Sequence, residues 1–211
     1  MNIIDISPTL SARVAVWTGD TPFSRTVNLS IAGGDNIDLS EIRSTVHVGA
    51  HTDAPSHYVA GGATIEARPL SRYCGECLVV TVAVGRGARI RPAELPASVR
   101  DAARLPGRVL LHTETFPDPD AFTTDFAALS PELVDHLADR GVLLVGIDTP
   151  SVDLYDDTVL LSHAAIARRD LSILEGVVLT GVQDGLYTLV ALPLKIEGAD
   201  ASPVRAVLLP A

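Results

Sequence analysis

The sequence predicts an α/β fold: one domain over residues 1–211, with a mixed β-sheet core flanked by helices. Three observations predict it. Short, wholly apolar runs at 109–111, 142–147 and 189–192 suit strands buried on both faces, the habit of parallel sheets. The run 25–31 alternates polar with apolar residues, as a strand with one wet face does. Helical periodicity is confined to a few segments, and Gly and Pro punctuate the chain with no repeat, low-complexity tract or linker between them.

In chain order, the alternation over 25–31 breaks at Gly33-Gly34-Asp35-Asn36 and resumes over 42–48, which predicts an antiparallel pair whose second strand runs into a group of histidines. Residues 77–84 read as a buried strand, with Cys74 and Cys77 at its entrance. A structural zinc site needs four ligands and no second Cys/His pair of similar spacing exists, while a redox Cys-x-x-Cys opens a helix, so two ordinary thiols are expected. A helix is expected over about 92–103. A clearer one starts at a Ser130 cap with Pro131 in its first position, carries Leu133, Val134, Leu137 and Ala138 on one face, and stops before Gly141. The Ala-rich stretch 163–169 predicts one or two further turns, and Asp148 and Asp153 read as turn formers.

Charge narrows the function. Sixteen basic against 26 acidic side chains leave a net charge of -10, which supplies no cationic footprint for nucleic acid or anionic membranes. No apolar run approaches the ~18 residues of a membrane span. The start, Met1-Asn2-Ile3-Ile4-Asp5, lacks the basic and apolar regions of a secretory signal, so a cytoplasmic location is expected.

The chemistry concentrates in one segment. Three of six histidines fall in His47-Val48-Gly49-Ala50-His51-Thr52-Asp53-Ala54-Pro55-Ser56-His57, and its four titratable groups all occupy odd positions. An extended chain would turn them to one face, but four residues at ~3.3 Å each hold His47 about 13 Å from His51. Ligands sharing one zinc at ~2.1 Å must lie within ~4 Å of each other. The chain must therefore bend, and Gly49 supplies the backbone freedom while Pro55 stops a regular ladder. A helix is disfavoured by Val46, Val48, Thr52, Gly49 and Pro55, which leaves a strand ending in a kinked metal loop. A lone histidine reads as a hydrogen-bonding residue; three with a carboxylate around a glycine read as metal ligands.

The signature His47-x-Gly49-x-His51-x-Asp53-x-Pro55-x-His57 resembles that of the cyclase-type metal-dependent hydrolases, most closely their bacterial kynurenine formamidase (arylformamidase) branch. The likeness continues through Trp17-Thr18-Gly19-Asp20-Thr21-Pro22-Phe23, Gly146-Ile147-Asp148-Thr149-Pro150-Ser151-Val152-Asp153, Ile173-Leu174-Glu175-Gly176, Ala191-Leu192-Pro193-Leu194 and Ala201-Ser202-Pro203-Val204-Arg205-Ala206-Val207-Leu208. The resemblance implies a swivelling β/β/α-like fold and hydrolysis of N-formyl-L-kynurenine to L-kynurenine and formate in tryptophan degradation. It implies His47, His51, Asp53, His163 and Glu175 as ligands of two zinc ions, manganese being possible, with Asp53 and Glu175 bridging. It further implies His57 as general acid/base, Trp17 as a substrate-pocket residue, and a homodimer or larger homo-oligomer. Val16 and Thr18 beside Trp17, and Ser162 before His163, depart from the family's usual surroundings.

Spacing alone does not choose His163 over His112 or His136, nor does it single out Glu175, which reads as an acid at a strand entrance. His112 ends a buried strand and His136 sits on a helix between Asp135 and Leu137, facing solvent, so both read as structural. Two other functions stay open: a sibling hydrolase acting on another amide, lactam or ester such as isatin, and a non-catalytic metal-binding protein.

Overall fold

The computed structural model describes residues 2–210; Met1 and Ala211, which close the 1–211 span, lie outside the described residues. Among the described residues there are thirteen strands: β1 (Ile4–Asp5), β2 (Ser24–Leu29), β3 (Leu39–Arg43), β4 (His51–Asp53), β5 (Cys74–Thr81), β6 (Arg89–Ile90), β7 (Arg108–His112), β8 (Ala128–Leu129), β9 (Leu144–Ile147), β10 (Ser172–Leu174), β11 (Gly185–Val190), β12 (Ala201–Pro203) and β13 (Val207–Pro210). Three α-helices accompany them: α1 (Ala97–Arg100), α2 (Pro131–Ala138) and α3 (Leu161–Arg169).

Seven strands form the central sheet in the order β1-β13-β11-β5-β7-β9-β10. The neighbours β5, β7, β9 and β10 run parallel, while β11, β13 and β1 add on antiparallel. The expected mixed sheet is thus present, and its cause lies in the apolar runs. Successive side chains in a strand point to opposite faces, so Val109, Leu111, Val145 and Ile147 join Leu133, Leu137 and Ile166 of α2 and α3 in one core cluster. Leu110 and Leu144 face the other way, into a second cluster with Ile6, Tyr73, Leu174 and Leu208. Each such fully buried side chain contributes about 1.5–3 kcal/mol.

Several elements depart from their expected bounds. The antiparallel pair exists as β2 and β3, but β3 ends at Arg43 and 44–50 are irregular. The ribbon is closed at its base by the Thr45 N–H donating to Thr21 O, after which the chain enters the protein body, where Val48 and Ala50 are buried. The helix expected over 92–103 is a 3-10 turn, Pro92–Glu94, and the single turn α1. Pro96 explains the break: it has no N–H to donate and holds Leu95 extended, at φ -71° and ψ 142°. Helix α2 matches its expectation, with the Ser130 hydroxyl accepting from Leu133 N–H and Leu133, Val134 and Leu137 buried. Helix α3 starts two residues before 163, and β11 starts at Gly185 and stops at Val190.

Both cysteines lie inside β5, which begins before Cys77 and ends at Thr81. They are free; burial pushes the Cys77 thiol up to about 12, so it is inert, and Cys74 is exposed. Among the described residues no helix is long and apolar enough to cross a membrane.

Candidate metal centre

The site forms where short strands meet the edge of the sheet. Strand β4 pairs with β12, placing Ala201 opposite Asp53. On its other side His51 and Glu175 form a bridge, His51 N–H donating to Glu175 O at 3.1 Å and Glu175 N–H to His51 O at 2.9 Å. Alternation along β4 turns His51 and Asp53 to the same side. The bend expected at Gly49 is present at φ +58°, and a Cβ there would meet Leu10 Cδ2 at 2.8 Å. Gly176, at φ +65°, packs so closely that a Cβ would overlap the Gly49 carbonyl oxygen. Both positions need glycine, and together they draw the loop against the residue after Glu175.

Asp53 is the hub. Its Oδ1 lies 3.0 Å from His47 Nδ1 and 3.6 Å from His51 Nε2, and its Oδ2 lies 3.5 Å from His163 Nε2. His51 Nε2 is also 3.1 Å from Glu175 Oε2. Two triads, His47–Asp53–His57 and His51–Asp53–Glu175, each offer ligand atoms within 4.8 Å of one another. All these residues except His47 and His57 are buried.

Second nitrogens and oxygens are held from behind. Gly49 O faces His51 Nδ1 at 2.9 Å, Asp153 Oδ2 faces His163 Nδ1 at 2.8 Å, and Asp200 Oδ2 faces His47 Nε2 at 3.0 Å. Each of these oxygens can only accept, so each fixes an N–H on the ring nitrogen that faces it and leaves the other nitrogen for the cluster. Glu175 Oε1 accepts from Val152 N–H at 2.6 Å, which leaves Oε2 for the cluster. Asp53 Oδ1 and His163 Nε2 are buried with no hydrogen-bond partner among the described residues. A buried orphan carboxylate oxygen and imidazole nitrogen are costly unless a cation joins them, and donor atoms ~3–4 Å apart match ligands sharing one metal. The donor set therefore fits divalent metal.

The electrostatics agree. Burial works against a charged His47, yet Asp53, Asp200 and Glu175 outweigh it and raise its pKa to about 9. His163 rises to about 10 against the same burial through Asp153 and Asp53, and His51 rises through Glu175 and Asp53. Burial would raise Asp53, but the His163, His47 and His51 imidazoles facing it hold it well below the usual carboxylate range. Protons on these imidazoles stand where positive charge is demanded.

All five residues proposed as ligands come together, with His57 beside them. Two residues read as turn formers do other work. Asp153 is buried and accepts from Ser162 N–H, His163 N–H and the Arg89 guanidinium as well as from the His163 ring. Asp148 accepts from Thr113 N–H, Thr113 Oγ1 and Glu114 N–H, and burial raises its pKa. Glu175 follows the last residue of β10, so it stands at a strand exit, not an entrance. His112 is buried beside Asp148 and away from the cluster. His136 also lies outside it, half-buried instead of facing solvent, with Nε2 enclosed. Asp200 is the residue the sequence reading missed; it precedes the Ala201-Ser202-Pro203 motif, and that adjacency was the available signal.

The cluster opens into a cavity of about 660 Å³. Trp17 lines it, packed against Tyr155, Phe122 and Phe126 with ring centroids 4.9, 5.7 and 6.1 Å away. The family described as "Putative cyclase" matches residues 4–154. The chain belongs to the cyclase family. A relative from Bordetella petrii, named kynurenine formamidase, is 45% identical over 205 residues, covering 97% of this chain and 96% of its own. A solved structure described as a potential metal-dependent hydrolase with cyclase activity is 28% identical, with a TM-score of 0.82 over 98% of this chain and 96% of that one. Isatin hydrolase A from Labrenzia aggregata shares the fold at 20% identity, with a TM-score of 0.82 over 98% of this chain and 93% of its own.

Proposed function

We propose that this cyclase-family chain is an arylformamidase, a metal-dependent amidohydrolase that cleaves N-formyl-L-kynurenine to L-kynurenine and formate in tryptophan degradation. The observation that carries the reading is a carboxylate-centred histidine cluster on the wall of a cavity that also holds an aromatic cluster. The 45% identical relative named kynurenine formamidase supports this substrate over isatin, since the isatin hydrolase likeness, at 20%, concerns the fold alone.

His47, His51, Asp53, His163 and Glu175 would hold two zinc ions per subunit; manganese suits the same nitrogen and oxygen donors. When bound, the metals supply Lewis acidity that polarises the formyl carbonyl and acidifies attacking water. The chain's own residues do the rest. Trp17, held by its packing against Phe122, Phe126 and Tyr155, stacks on the aryl ring and orients the formamide. The aryl amine is a poor leaving group as its anion, and His57 donates a proton to the departing nitrogen. Asp153 and Gly49 O hold His163 and His51 in the tautomers that direct Nε2 to the cluster.

We also infer that residues 1–211 act as one domain, in the cytoplasm, as a homodimer or larger homo-oligomer, without nucleic-acid or membrane partners. The net charge of -10 supports the last point. The β2–β3 ribbon supports self-association: Val27, Ile31 and Ile42 are 50%, 59% and 69% exposed, and an isolated two-stranded ribbon is marginal in water. The decisive test is kynurenine release from N-formylkynurenine followed by absorbance, with and without chelator, beside isatin and with metal content measured on the same sample. Chelator-sensitive release with isatin untouched is expected. Bound metal without release of kynurenine would leave the non-catalytic reading standing.

A further inference from the structure

Asp200 is not a member of the proposed ligand set, yet its Oδ2 meets two histidine rings, His47 Nε2 at 3.0 Å and His57 Nδ1 at 3.3 Å. The fold holds it there through main chain: Asp200 O accepts from Ala54 N–H at 2.8 Å, and the next residue, Ala201, pairs with Asp53 in the β12–β4 ladder. The carboxylate therefore faces the cluster from across the end of β4, lining the same cavity as His57.

A carboxylate oxygen only accepts, so both ring nitrogens that meet it must carry hydrogen. For His57 that places the proton on Nδ1 and leaves Nε2 as the nitrogen free to take or give a proton. We propose that Asp200 is a positioning residue for the hydrolysis, fixing His57 as its Nδ1–H tautomer and tying the ring to the loop through the oxygen it shares with His47. The proposal rests on the formamidase reading for its reaction, and on geometry alone for its tautomer. Asp200 touches no reacting atom; it acts through His57, as a carboxylate behind a catalytic imidazole does.

The test uses the full-length, zinc-loaded protein, with Asp200→Ala and the isosteric Asp200→Asn, each matched to the wild type in metal content. Nitrogen-15 imidazole shifts should report His57 as Nδ1–H in the wild type and lose that bias in both variants. Kinetically, kcat on N-formylkynurenine should fall about 10- to 100-fold with KM unchanged. Hydrolysis of p-nitrophenyl formate, whose leaving group departs without a proton, should keep its rate. In a His57→Ala background Asp200→Ala should cost nothing further. An unchanged His57 tautomer overturns the proposal, as does an equal loss on amide and ester, or losses that multiply in the double variant. A wild type that releases no kynurenine but shows the Asp200-dependent tautomer defeats the formamidase reading and leaves the positioning role in place.

Discussion

Asp53 meets three imidazoles while buried, and one of its oxygens has no hydrogen-bond donor. Removing it leaves those rings facing each other with no shared acceptor, so Asp53→Ala should lose bound metal by elemental analysis, and Glu175→Ala should do the same. Full occupancy in either variant would remove that carboxylate from the ligand set. His57 sits differently: its side chain is 36% exposed, and it lies within ligand reach of His47 and Asp53 without belonging to the buried set. As the proton donor, His57→Ala should keep its metal and lose ~10²- to 10⁴-fold in kcat. Metal lost along with activity would make His57 a ligand instead.

At the scale of elements, the kinked loop is the part that brings distant residues together, and Gly49 is where it is most exposed to change. A side chain there must adopt φ +58° and displace Leu10, whose Cδ2 would lie 2.8 Å from the new Cβ. Gly49→Ala should cost roughly 1–3 kcal/mol of stability and lower metal affinity, measured as a drop in the denaturation midpoint and by zinc titration. An unchanged midpoint would mean that the loop yields easily. This bend was legible because ligand spacing and extended-chain length conflict, and of the three residues between the two histidines, Val48, Gly49 and Ala50, only the glycine turns freely. The apolar runs at 109–111 and 142–147 were legible for a similar reason: length and composition left few alternatives to buried strands. The bounds of β3 were not, since Val46 and Val48 alternate as a strand would while their segment serves as the irregular approach to the site. Asp153 was misread because a turn former and an imidazole's carboxylate partner look alike in sequence; only the return of α3 shows what faces it. His163, Glu175 and Asp200 come from three different stretches, and local spacing carries no information about such convergence.

For the whole molecule, the site makes stability and metal binding respond to pH in opposite directions. His47 and His163 have folded-state pKa values raised to about 9 and 10 in the metal-free protein, above the ~6.5 of an unfolded chain. Their protonation stabilises the metal-free fold fully below pH 6.5, and that contribution disappears as pH rises through 9 to 10. Metal binding must displace these protons, so affinity climbs over the same interval. Chelator-treated protein should therefore melt at progressively lower temperature between pH 7 and 9.5, while zinc-loaded protein holds its melting temperature and the gap between them widens. Calorimetric titration in buffers of different ionisation enthalpy should show net proton release on zinc binding at pH 7, falling towards pH 9.5. A melting-temperature gap that stays constant with pH, or binding without proton release, would mean that the imidazoles are already neutral before metal arrives. The dense negative field around Asp53 would then be balanced by some other charge.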